Sequence, residues 1–128
     1  MPVYDTENFT PPAPVASVTL RHPATGASLS GVLLLMDSGA DVTLLPRKVI
    51  ESLEITPIAE IGYELQGFDG STQVAQAVSL ELLFRGKKFS GQFLLIDEPI
   101  GILGRNVMNA LQLVFDGPRQ TWEELKSV

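Results

Sequence analysis

The sequence predicts an all-β fold, a compact closed barrel or sandwich carrying one or two short helices. Three observations point there. Short strand-like apolar stretches are separated by Pro- and Gly-bearing turns, the longest of them alternates at a period of two, and helical spacing is confined to two brief segments. At 128 residues, 45% of them hydrophobic, the chain suits one domain with a proper core.

The elements follow in order. Residues 1–14 place Pro11, Pro12 and Pro14 close together, which favours extended polyproline geometry and prevents continuous sheet pairing. They predict a flexible leader ahead of a domain spanning 15–128. "SVTLRHPATGASLSGVLLLM" reads as a strand, a Pro/Gly turn and a second strand, a β-hairpin. The tail of that second strand is apolar on both faces, which predicts a central, buried position. In "TLLPRKVIESL", Pro46 opens a short helix with Val49, Ile50 and Leu53 inward.

"IGYELQGFDGSTQVAQAVSLELLF" then gives a strand, a glycine-bearing tip and a long strand. Along the long strand Val74, Val78, Leu80, Leu82 and Phe84 share one face. "KKFSGQFLLID" returns after a charged Arg85-Gly86 turn. In "GILGRNVMNAL" a glycine loop precedes Val107, Met108 and Leu111 at helical spacing. "LQLVFDGPRQTWEEL" closes the chain as two short strands around Gly117-Pro118.

Composition removes several function classes. A net charge of −6 argues against a nucleic-acid or anionic-membrane surface. The absence of cysteine excludes disulfides, thiol nucleophiles and thiolate metal sites. No aliphatic run approaches the roughly 18 residues of a membrane span, and the opening residues lack the basic start and apolar stretch of a secretory signal. The expectation is a cytoplasmic protein.

The segment that carries chemistry is "LLLMDSGAD", residues 33–41. Ser38 is a poor nucleophile candidate. Met36 stands where a hydrolase elbow needs glycine, and the one histidine, His22, precedes Pro23 in a predicted turn. One histidine and scattered carboxylates offer no metal-ligand set. "GFDGST" lacks the Gly-Lys-Ser/Thr of a phosphate loop, and "GILGRN" lacks the dinucleotide fingerprint. Taken alone, Asp37-Ser38-Gly39 is also compatible with a tight turn whose side chains bond their own backbone.

Two blocks in fixed order make the signal specific. "LLLMDSGADVTLLP" resembles the active-site segment of retropepsins, the single-domain aspartic proteases of retroviruses, retroelements and some cells. "ILGRNVMNAL" is similar to that family's second block, an apolar pair, Gly-Arg-Asp/Asn and a short helix. Between them "YELQGFDGSTQVA" resembles the family's flap hairpin, although Phe68 and Asp69 stand between its glycines. The resemblance covers roughly residues 15–116.

What it implies is a barrel-like acid-protease fold with a flap, working as a homodimer on an extended peptide or protein substrate, with no cofactor and no metal. Asp37 of each chain would meet at a two-fold axis as the catalytic pair, with Ser38 and Gly39 holding the site. Ala40 and Asp41, with flap residues Gly67, Phe68, Asp69 and Gly70, would contact substrate. Gly104, Arg105 and Asn106 would support the loop, with Arg105 paired to a buried Asp41. The hairpin at 112–116 and 120–125 would either supply interface strands or cap the barrel, with Trp122 as its anchor. The competing reading is a catalytically silent dimerisation or peptide-binding module on the same fold.

Overall fold

The computed structural model describes residues 2–66 and 72–126, with 59–66 and 72–75 described through their backbone. The elements are β1 (Val15–Arg21), β2 (Ser28–Met36), β3 (Leu44–Pro46), α1 (Arg47–Ser52), β4 (Ile58–Gln66), β5 (Thr72–Phe84), β6 (Lys87–Ile96), β7 (Gly101–Leu103), α2 (Arg105–Met108), β8 (Leu113–Asp116) and β9 (Thr121–Glu124). Six strands close a ring in the order β1-β2-β7-β3-β6-β5, and β5 returns to β1 through residues 81–83 opposite 19–21. Closure leaves those six without an open edge. β4 pairs with the far half of β5, outside the ring.

Alternation turns one face of each strand inward. Val18 and Leu20 of β1, Leu34 and Met36 of β2, and Val78, Leu80, Leu82 and Phe84 of β5 are buried together, the β5 members being the face the period-two pattern predicts. Val74, placed on the same face from sequence, lies outside the described side chains. Between the pairs Val18–Val32 and Leu20–Leu29, β2 spends one residue more than β1. Gly31, at φ +75°, absorbs that extra residue as a bulge. Helix α1 begins after Pro46 and buries Ile50, with Leu53 beyond it. The strands β3 and β7 were not separated in the sequence from the helix and glycine loop beside them, because three residues carry almost no periodicity.

Two expectations are corrected. The tail of β2 is buried on one face only: Leu33 is 40% exposed, and Leu35 is half-buried. The leader is not free either. Tyr4 N–H donates to the Gln120 carbonyl (2.8 Å), Trp122 N–H donates to the Pro2 carbonyl (3.0 Å), and Val3 bridges Thr121. Asp5 and Ala13 exchange two backbone bonds, closing residues 5–13 into a loop, and the Pro14 carbonyl receives Met36 N–H. The prolines sit where no ladder donor is required, so they do not prevent this docking.

The C-terminal hairpin β8–β9 caps the barrel. Trp122 is 2% exposed, packs on Phe84 with ring centroids 6.1 Å apart, and donates its indole N–H to the Val15 carbonyl (3.3 Å). Among the described residues no helix is long and apolar enough to cross a membrane.

Candidate active site

Asp37 continues the line of β2. Its N–H donates to the Leu103 carbonyl (3.1 Å), extending the parallel β2–β7 ladder past Leu35–Ile102 and Met36–Leu103. Since Leu34 and Met36 face the core, alternation places Asp37 on the outer face with Leu35. The chain then turns sharply. Ala40 N–H donates to the Asp37 carbonyl (3.1 Å), and Gly39 N–H donates to Asp37 Oδ1 (2.8 Å). One carboxylate oxygen is thus held by the loop itself, leaving the other available for a water or a second carboxyl group.

The loop is fastened from below by the segment after β7. Arg105 N–H donates to the Ala40 carbonyl (2.8 Å), and its guanidinium donates to the Ser38 carbonyl (2.6 Å). Thr43 joins the two segments from inside. It is 1% exposed, its hydroxyl oxygen accepts from Gly104 N–H (3.0 Å), and its hydroxyl donates to Asn106 Oδ1 (2.7 Å). Gly104 is required by close approach, because a Cβ there would overlap the Val42 carbonyl.

The outer face beside Asp37 is apolar in register. Direct strand partners run Leu35–Ile102, Ile102–Leu44, Leu44–Leu94, Leu94–Ala77 and Ala77–Ile58. Paired residues point the same way, so these six make one row across β2, β7, β3, β6, β5 and β4, about 24 Å long at the usual strand spacing. Ala77 and Leu94 are buried within it, with Val42, Leu44 and Ile58 packed around them as a second apolar cluster, separate from the barrel core. The row forms a floor that begins beside Asp37 and ends at Ile58, at the base of the β4–β5 hairpin.

The family model described as retroviral aspartyl protease matches residues 14–115. The chain belongs to that family. The fold agrees: the chain is similar to EIAV protease complexed with the inhibitor HBY-793, with a TM-score of 0.57 and 20% identity, over 84% of this chain and 91% of that one. No curated protein matches the chain.

Within this retroviral aspartyl protease fold, the two sequence blocks are brought into contact, with residues 37–40 against 103–105. Asn106 meets them through Thr43, which sequence reasoning missed. Its one signal was a hydroxyl residue inside an otherwise apolar stretch. The expected Asp41–Arg105 pair is different in the structure. Both side chains are exposed, and no salt bridge among the described residues includes either. Arg105 lies directly under the turn and reaches the Ser38 carbonyl instead. Ser38 is exposed on the loop surface. Gly67, Phe68, Asp69 and Gly70 lie outside the described residues. His22 sits in the β1–β2 turn, at the opposite end of β2 from Asp37, where its Nδ1 accepts from Ala24 N–H (3.1 Å).

Proposed function

We propose that the chain is an aspartic endopeptidase that works as a homodimer, with Asp37 of two copies forming the pair that activates water. The placement of Asp37 carries this reading: its backbone is fixed to β7, one carboxylate oxygen is held by Gly39, and an apolar floor starts beside it. The chain has one Asp-Ser-Gly, and the chemistry needs two carboxylates, which a two-fold pairing of identical chains supplies. β8 supports such pairing. It exposes Val114 (39%) and Phe115 (42%), and its strand partner among the described residues is β9, which leaves one edge open.

Two carboxylates about 3 Å apart do not both ionise cheaply, so the pair holds one proton and titrates as a unit. The ionised carboxylate takes a proton from water as the water oxygen attacks the scissile carbonyl carbon. The protonated one gives its proton to the carbonyl oxygen. The resulting diol collapses, the C–N bond breaks, and the amine leaves with a proton, without a covalent acyl-enzyme. In this scheme the Ser38 hydroxyl pairs across the axis with the partner loop. Ala40 and Asp41 meet substrate backbone, and Gly67, Phe68, Asp69 and Gly70 form the closing tip. Gly104, Arg105 and Asn106 keep the loop in place. The substrate is an extended peptide lying as a strand over the apolar row.

The test joins two copies through a flexible linker and places Asp37→Asn in one of them. A shared site predicts that the singly substituted tandem is essentially dead on unfolded protein substrates between pH 4 and 7. The unsubstituted tandem should cleave with a bell-shaped pH profile and be inhibited by pepstatin. Half of the tandem's activity, proportional to protein on dilution, would refute the shared pair. No cleavage by the unsubstituted tandem at any pH, with peptide binding retained, would establish the silent module instead.

A further inference from the structure

A pocket on the outer face beside Leu35 is not built by the family segment alone. About 310 Å³ in volume, it is lined by Leu35 and Ile102 of the barrel, by Glu98, Pro99 and Ile100 between β6 and β7, and by Phe9 from the loop 5–13. Leu35 and Asp37 stand on one face two residues apart, about 6.6 Å along the strand. Leu35 and Ile102 are also the first two members of the apolar row. Phe9 is half-buried there and precedes residue 14, where the family match begins.

The loop that presents Phe9 is braced. The Asp5 carboxylate accepts from Glu7 N–H (2.8 Å), Asn8 N–H (2.9 Å) and Asn8 Nδ2 (2.8 Å), and the Asp5–Ala13 bridge closes the loop at its base. The side-chain and backbone hydrogen bonds from Asn8 hold the Asp5 carboxyl below the ordinary aspartate range. An aromatic ring held this way, lining one pocket with aliphatic side chains, forms one side of a space that a large apolar side chain fills and a small or acidic one does not.

We infer that Phe9 is a specificity-determining residue: with Leu35, Ile100 and Ile102 it bounds a subsite for a large apolar side chain of the peptide, and the loop 5–13 sets the size of that subsite. The inference rests on the peptidase reading above and goes beyond it by placing one wall of the subsite on a loop that precedes the family segment.

The experiment uses peptides that differ only in one residue beside the cleaved bond (Ala, Leu, Phe, Trp or Glu), with kcat/KM measured for the unaltered chain, Phe9→Ala and Phe9→Trp. Phe9→Ala should shift the Trp-to-Leu preference upward about tenfold, and Phe9→Trp should shift it the other way. Asp5→Ala, which frees the loop, should flatten the preference. Unchanged ratios in all variants would overturn the inference, and so would an equal rise or fall for every peptide, which would mark Phe9 as an obstruction or a fold contact. The affinities of Asp37→Asn for the same peptides read the wall without turnover. If the unaltered chain cleaves nothing, the peptidase reading fails. A preference order that Phe9 substitution shifts in these affinities still supports the wall, and an indifferent order or no binding refutes it.

Discussion

Replacing Thr43 by Val removes one hydroxyl and keeps the side-chain shape. The hydroxyl serves two partners, accepting from Gly104 N–H at 3.0 Å and donating to Asn106 Oδ1 at 2.7 Å. The two losses are unequal. Gly104 is buried, so its N–H is left without water or protein, at a cost of about 1–3 kcal/mol. Asn106 is exposed and its amide turns to solvent, adding about 0.5–1 kcal/mol. Together Thr43→Val should destabilise by about 1.5–4 kcal/mol. Thr43→Ser keeps both bonds and gives up one methyl group, about 1 kcal/mol. Urea unfolding followed by fluorescence of the one tryptophan, Trp122, separates the two variants. With a slope of about 1–3 kcal/mol per molar, the Val variant should lose about 0.5–4 M at its midpoint. Protein concentration must be fixed, because subunit pairing shifts apparent stability. A Val variant within about 0.5 kcal/mol of the Ser variant would refute the claim that this hydroxyl holds the two site segments together.

Trp122→Ala should cost about 3–5 kcal/mol by circular dichroism, since it empties a buried site against Phe84, whereas Trp122→Phe, losing chiefly the bond to the Val15 carbonyl, should cost far less. Arg105→Ala should cost only about 0.5–1.5 kcal/mol, as for an exposed hydrogen bond; a loss of about 3–5 kcal/mol would mean that it sits in a buried charge pair. Glu81 is held below the ordinary glutamate range, chiefly by its hydrogen bond from Arg21, with Lys88 adding to it. A depressed carboxyl stabilises the fold above its unfolded pKa and loses that contribution as pH falls through the folded one. The gap in thermal midpoint between the unaltered chain and Glu81→Gln should therefore be present at pH 7 and close towards pH 3. A gap that stays constant would show that the ion pair does not bear on stability.

Local pattern was enough for the parts of this protein that depend on local pattern. Period-two alternation along β5 named Val78, Leu80, Leu82 and Phe84 as one buried face, because in a barrel wall the side of the sheet follows from position parity alone. The two blocks around Asp37 and Arg105 were legible because each is a contiguous run. Pro46 and the spacing of Ile50 and Leu53 marked α1 for the same reason. Long-range pairing decided everything else. β1 closes on β5 across sixty residues, and the apolar row from Leu35 to Ile58 exists only because six strands fall into one register. Thr43 looks like any strand threonine until Gly104 and Asn106 are folded against it. Arg105 finds the Ser38 carbonyl and not Asp41, a choice set by loop geometry that charge pattern does not encode. The leader was misread because its anchor, Thr121, lies at the other end of the chain, and no local composition reports a partner that distant.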